Sequence, residues 1–279
     1  MEFTKMQGAG NDFLLVNGFK YNLEEIVPKI KNLCDRRFGV GGDGLMAALP
    51  SEDCDVKMYY YNSDGSQGEM CGNGIRCFVK FVYEKGIVKK DFMRIETLAG
   101  VQTAQLQIND KDEVEKIEIE IGNIKYNPEE IPVLVEGENA FNKKLEIDGK
   151  EITFSTVFLG VPHTVVFIDE EGQYDVNEIG SKMEVHPMFP RKTNVNFVLP
   201  VSENEIKIFT WERGAGRTLA CGTGSSSSAL LCHKLKGMSD RIKVVTEGGD
   251  LEVKILSDRV KLIGGAEITF EGKVDLRKY

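Results

Sequence analysis

The chain has 279 residues, 41% hydrophobic and 28% charged, enough to bury a core as one large or two modest domains and too apolar for a disordered chain. With 35 Lys and Arg against 44 Asp and Glu the formal charge is -9, a poor balance for gripping phosphate backbones, so no nucleic-acid partner is expected. No apolar stretch approaches the roughly 18 residues of a bilayer span, and the opening MEFTKMQGAGNDF lacks the apolar segment of a signal peptide; the expectation is a soluble, cytoplasmic protein with no membrane partner.

In chain order, Phe13 to Val16 reads as a strand, and Asn22 to Cys34 as a helix with Leu23, Ile26, Ile30 and Leu33 on its inner side. The Gly-rich stretch FGVGGDGL, with Arg36, Arg37 and Asp43 beside or within it, reads as a loop to which no role attaches. Val56 to Asn62 alternates as a half-buried strand, and Cys71 opens a helix carried by Ile75, Phe78, Val79 and Val82 and closed by Lys85-Gly86. Strands follow at Ile95 to Gly100 and Ile117 to Ile121, and Asn123 to Pro132, rich in Asn, Pro and charge, reads as a hinge. Further strands are expected at Ile152 to Phe158, Val165 to Ile168, Asn196 to Leu199, Leu251 to Ile255 and Val260 to Ile263. Cys221 opens a second helix with a thinner apolar face, Ala229, Leu230 and Leu235, and four serines, Ser225 to Ser228, whose smallness suits close packing.

These elements repeat. At an offset of 150, VKMYYYN (Val56 to Asn62) lies over IKIFTWE (Ile206 to Glu212), and Cys71-Gly72-Asn73-Gly74 over Cys221-Gly222-Thr223-Gly224; IETLAG and VVTEGG match at 149. A strand, a Gly-rich loop, a Cys-led helix and a hairpin therefore occur twice. Two homologous halves facing each other are expected, in a strand-rich α+β protein: a first lobe of residues 1–122 and a second of residues 123–263.

The six cysteines have uneven spacing and no secretory signal, so reduced thiols are expected, and with three histidines and no C-x2-C pair no metal site is expected. Cys34, Cys54, Cys77 and Cys232 read as small buried hydrophobes. Cys71 and Cys221 differ, because a helix N-terminus lowers a thiol pKa and its free N–H groups bind a carboxylate. Presented to opposite faces of the carbon that bears that carboxylate, the two thiols suit inversion of a stereocentre: a thiolate removes the α proton, a thiol delivers another, and no cofactor is required.

The residues KMQGAGNDF (Lys5 to Phe13), YNSDGSQGEMCGNGIRC (Tyr61 to Cys77), GVPHTV (Gly160 to Val165), TNVNFV (Thr193 to Val198) and WERGAGRTLACGTGSSSSA (Trp211 to Ala229) carry a resemblance, over essentially the whole chain, to the diaminopimelate epimerase family. The resemblance implies two pseudo-symmetric lobes, each a curved antiparallel-rich mixed sheet around a central helix, with a last strand within residues 264–279 returning to the first lobe. It implies a cofactor-independent homodimeric isomerase, free of pyridoxal phosphate, that interconverts LL- and meso-2,6-diaminopimelate in lysine and peptidoglycan precursor synthesis. Cys71 and Cys221 become the acid/base pair, and Gly72, Asn73, Gly222 and Thr223 the donors to the reacting carboxylate. Asn11 contacts the reacting centre, while Asn62, Asn194, Glu212 and Arg213 hold the distal amino-acid end. His163 lies beside the thiols and, with Glu212, tunes their ionisation.

Two positions depart from the family pattern. Val161 stands where an Asn often reaches the distal end, and Gly44 where some members carry a substrate-contacting Gln. The alternatives are a proline or hydroxyproline racemase of the same architecture, which typically carries His at the Asn73 position, and, less well supported, a nucleotide-binding protein. A bland reading of Glu212-Arg213 is a solvated surface pair, and of His163 an ordinary core histidine.

Overall fold

A computed structural model describes every residue, Met1–Tyr279. No helix is long and apolar enough to cross a membrane. The chain divides into two compact units, Met1–Ile119 with Gly264–Tyr279, and Glu120–Ile263.

In the first unit, neighbouring strands run in the order Glu267–Lys273, Glu2–Gly8, Asn11–Asn17, Gly44–Leu49, Val56–Asn62, Phe92–Thr97, Gly100–Ile108 and the strand from Val114. Successive pairings are antiparallel, antiparallel, parallel, antiparallel, parallel, antiparallel and antiparallel. The second unit repeats that sequence of pairings with Ala140–Ile147, Lys150–Leu159, Val161–Phe167, Asn194–Ser202, Glu205–Glu212, Arg241–Thr246, Gly249–Ile255 and Val260–Gly264. The final strand of the chain thus supplies the first unit with the strand that Ala140–Ile147 supplies to the second. A mostly antiparallel sheet with two parallel pairs and few helices is an α+β fold.

Each second parallel pair is bridged by a crossover helix, Gly72–Glu84 in one unit and Gly222–Lys236 in the other. Parallel neighbours require such a crossover, which is why the Cys-led helices follow Val56–Asn62 and Glu205–Glu212. The central strands are buried on both faces, so FLLV at Phe13 to Val16 reads as an unbroken apolar run. Phe13 and Leu15 face the Cys71-capped helix with Met46, Ile75, Phe78 and Val82. Leu14 and Val16 face the opposite layer, with Ile26, Ile30 and Leu33. In the second unit that opposite layer is the helix Val176–Glu184, whose Val176, Ile179 and Met183 pack on Phe154, Val166 and Phe197.

Several expectations are corrected. Asn22 to Cys34 is not one helix: the α-helical turns Leu23–Ile26 and Ile30–Leu33 flank a 3-10 turn at Val27–Lys29. Pro28 lacks the N–H that a continuous helix needs and tightens the chain at that point. The loop assigned to FGVGGDGL ends early, since Gly44 opens a strand. Ile168 lies just past its strand's end at Phe167. Cys54 is partly exposed rather than buried. The serines Ser225 to Ser228 are fully buried, as their size suggested.

Candidate active site

Both cysteines cap their helices in the same way. Cys71 has φ -135° and ψ 120°, Cys221 φ -124° and ψ 118°, and each Sγ accepts the N–H three residues on, from Gly74 and Gly224, at 3.4 Å. Extended backbone at the cap position with a side-chain acceptor is the arrangement usually supplied by Ser, Thr or Asp; here sulfur takes it, facing the positive end of the helix. Gly74 and Gly224 let the helix starts approach the sheet closely. A Cβ on Gly74 would lie 2.0 Å from Met46 Cε, and one on Gly224 2.5 Å from Asn196 Oδ1.

In the first unit, Asn73 Nδ2 donates to Asn11 Oδ1 at 2.6 Å and Asn11 Nδ2 donates to Asp43 Oδ2 at 3.1 Å, so both ends of the Asn11 amide are fixed. Asp43 is in turn held by Arg36 at 2.8 Å, and Arg36 also grips Asp12 in a fork at 2.6 and 2.9 Å. Burial opposes ionisation of Asp12, yet the hydrogen bonds from Arg36 and Lys5 hold its carboxyl well below the usual range. Arg36 and Asp43, to which no role attaches from sequence alone, thus position Asn11. The Asn62 amide accepts from Tyr60 Oη at 2.7 Å and donates to Ser66 Oγ at 3.0 Å. Gly44 leaves no room for a longer residue, because a Cβ there would stand 2.4 Å from the Tyr61 carbonyl oxygen.

In the second unit the thiol of Cys221 is buried and its pKa is pushed well up, first by burial and then by the negative charge of Glu212. Glu212 accepts from Thr218 Oγ1 at 2.6 Å and hydrogen-bonds Cys221; burial raises its own pKa. Glu212 and Arg213 therefore do not form a surface pair. Glu212 ends its strand and Arg213 opens the following turn, where Arg213 Nη1 donates to the Arg191 carbonyl at 3.0 Å. Asn194 is buried, donating to the Pro162 carbonyl at 2.8 Å and accepting from Arg213 N–H at 2.9 Å, so it braces the turn that presents Arg213. Glu184, which the sequence reading missed, braces the same turn by accepting from Trp211 Nε1 at 2.8 Å and Gly214 N–H at 3.1 Å.

His163 is fully buried. Its Nδ1 lies 3.2 Å from Asn196 Nδ2 and its Nε2 2.9 Å from Thr223 Oγ1. Because Thr210 Oγ1 donates to Asn196 Oδ1 at 3.2 Å, the Asn196 NH2 group is the one facing the imidazole. An amide nitrogen can only donate, so Nδ1 accepts and the imidazole proton sits on Nε2. Nε2–H then donates to Thr223, whose own proton is free to point at Cys221 Sγ, 3.4 Å away. Burial, reinforced by the charge of Arg213, pushes the His163 pKa down to about 3. Within this unit the ring therefore reaches sulfur through Thr223, as a neutral donor. Asn196 carries no signal in the sequence beyond that of a strand residue.

Cys34, Cys77 and Cys232 fit a packing role. Burial pushes Cys34 to about 11 and both Cys77 and Cys232 to about 12, and no disulfide joins any of the six cysteines.

The sequence profile described as Diaminopimelate epimerase matches residues 3–126 and 155–269. Among curated relatives, a diaminopimelate epimerase of Desulfitobacterium hafniense is 43% identical over 277 residues, covering 98% of this chain and 97% of the relative. One from Alkaliphilus metalliredigens is 44% identical over 256 residues, covering 91% and 90%. Among solved structures, a Bacillus anthracis phenazine biosynthesis protein superposes with a TM-score of 0.71 at 16% identity, covering 98% of both chains. A probable proline racemase from Agrobacterium radiobacter gives 0.71 at 16%, covering 99% of this chain and 93% of its own; at such identities these two speak for the fold alone. Profile and relatives together place this chain in the diaminopimelate epimerase family of isomerases.

Proposed function

We propose that this protein interconverts LL- and meso-2,6-diaminopimelate by a two-base reaction of Cys71 and Cys221. The observation that carries the reading is the matched pair of helix caps, in each of which the sulfur accepts the N–H of the last glycine of a CGxG turn. One cysteine, as thiolate, removes the α proton; the other, as thiol, delivers a proton to the opposite face. The N–H groups of Gly72, Asn73, Gly222 and Thr223 take the substrate carboxylate, onto which the developing carbanion delocalises, so no cofactor is needed to hold the charge. When Cys221 is the acid, Thr223 stabilises the thiolate it leaves; when it is the base, Glu212 takes its proton beforehand.

Asn11 lies near the reacting centre, while Arg213 takes the distal carboxylate and Glu212, Asn62 and Asn194 complete the distal end. Val161 removes one donor there. A polar site that lacks a donor changes discrimination by about 1–3 kcal/mol, so selectivity at the distal centre rests mainly on Arg213. We place the protein in the cytoplasm as a homodimer.

Incubation with LL-diaminopimelate in deuterated water should incorporate α-deuterium, whereas proline should not exchange. Exchange of proline alone would assign the chain to the racemase of the same architecture. Cys71→Ala and Cys221→Ala should each lower turnover by at least ~10³-fold with the thermal transition retained; full activity in either variant would rule out two bases.

A further inference from the structure

The two caps sit over different buried charges. Arg76 is 0% exposed, one turn into the Cys71-capped helix. Its Nη1 donates to the Gly72 carbonyl at 3.1 Å and its Nε to the Gly265 carbonyl at 3.2 Å, while Nη2 has no hydrogen-bond partner. The repeat places Ser226 at the same position of the other helix, and Ser226 Oγ makes the equivalent bond to the Gly222 carbonyl at 2.9 Å. One backbone carbonyl is thus met by a cation in the first unit and by a neutral hydroxyl in the second.

An unscreened buried guanidinium is costly unless an anion accompanies it. Arg76 forms no ion pair with a carboxylate: Asp12 is paired with Lys5 and Arg36, Asp43 with Arg36 and Glu84 with Lys80, while Glu115 and Glu267, near its Gly265 partner, are exposed. Lys5 and Lys80, the cations on the adjoining strand and on the helix itself, are occupied by those same acids. The two groups whose charge Arg76 feels are Cys77 and Cys71. Cys77 is held in its neutral form, with its pKa pushed up to about 12 by burial, which leaves Cys71, one residue from the carbonyl that anchors the guanidinium.

We propose that Arg76 is the positioning charge that makes Cys71 the resting thiolate of this enzyme, while Ser226 and Glu212 leave Cys221 as the resting thiol. This rests on the two-base reading. It assigns the residues their starting roles: in the free enzyme Cys71 is ready to remove a proton and Cys221 to give one. A substrate of the other α configuration must first wait for a proton to move from Cys221 to Cys71.

The test is the pH dependence of alkylation by iodoacetamide, with each cysteine followed by peptide mass spectrometry in the full-length protein. In the unmodified protein the Cys71 midpoint should fall below that of a free thiol, about 8.5, and the Cys221 midpoint above it. Arg76→Met should raise the Cys71 midpoint by at least about one unit, slowing alkylation at neutral pH about tenfold, and Arg76→Lys should restore it. An unmoved Cys71 midpoint in a folded Arg76→Met protein overturns the proposal. So does a Cys221 midpoint below that of Cys71 in the unmodified protein, a measurement that needs no variant to fold. Loss of α-deuterium exchange by the unmodified protein, with the Cys71 midpoint still low, would instead remove the epimerase reading and leave the charge assignment standing.

Discussion

Beneath the two Cys-capped helices the same backbone carries different chemistry. At the offset of 150 residues, Phe13, Met46, Asn62 and Arg76 of the first unit correspond to His163, Asn196, Glu212 and Ser226 of the second. The registers agree, with Phe13 opposite Gly44 and His163 opposite Asn194 across the matching parallel strand pairs. In the first unit the floor of the cap is apolar, Phe13 against Met46, and the nearby charge is positive. In the second the floor is a hydrogen-bonded chain from Thr210 through Asn196 and His163 to Thr223, and the nearby charge is negative. A duplicated fold therefore supplies two equivalent sulfurs, while four side chains per unit make them chemically unequal. That inequality suits an acid and a base that must differ in ionisation at the start of a turnover.

The largest effect should come from removing the carboxylate that distinguishes the second unit. Glu212→Gln abolishes the negative charge that disfavours the Cys221 thiolate, so the Cys221 alkylation midpoint should move down while the Cys71 midpoint stays. On the proposed two-base reaction turnover should fall by ~10²-fold or more, because Cys221 would lose its proton acceptor. A Glu212→Gln protein with native turnover would show that the two units do not differ in the way described.

A smaller effect separates the two floors by packing. Gly224→Ala forces a methyl against Asn196, whose amide is fixed by Thr210 and His163, and should cost about 2–3 kcal/mol in urea unfolding. Gly74→Ala meets the end of the flexible Met46 side chain, which can turn aside, and should cost about 1 kcal/mol or less. Equal costs would mean that the polar chain is no stiffer than a methionine.

The smallest effect is in the pH dependence of stability. The His163 pKa falls from 6.5 in the open chain to about 3 in the folded protein. Between those values the unfolded chain holds the extra proton, so this histidine's contribution is complete above 6.5 and is lost as the pH drops toward 3. The slope from this one group reaches at most ~1.4 kcal/mol per pH unit. Unfolding by urea between pH 4 and 7 should therefore show a shallower slope for His163→Gln, whereas Phe13→Leu, at the matching place in the first unit, should change stability without changing the slope.

Much of the fold was legible because its signals are local. Alternation marked Val56 to Asn62 and Ile206 to Glu212 as strands, and each Cys-Gly-x-Gly step announced a helix start. The pieces that escaped carry fewer large apolar residues or no alternation. Gly44 to Leu49 is a short apolar run after a glycine cluster, and Val176 to Glu184 is a helix with only one buried stripe. Of the candidate residues, Cys71, Cys221, Glu212 and His163 could be named from the repeat and the family resemblance. Asn196, Glu184, Arg36, Asp43 and Arg76 could not, since nothing in a lone Asn or Arg reports what it will touch.

The sequence by itself determined that there are two similar halves, that each carries a cysteine at a helix start, and to which family the chain is similar, because repeats, caps and motifs depend on residue order alone. Tertiary structure decided the rest: that the buried Asn196 amide aims its NH2 at His163, that Glu212 turns toward sulfur rather than toward Arg213, and that Arg76 lies with no carboxylate beside it. Hydrogen-bond direction and buried charge are set by which side chains meet across strands far apart in the chain, and by the exclusion of water from around them.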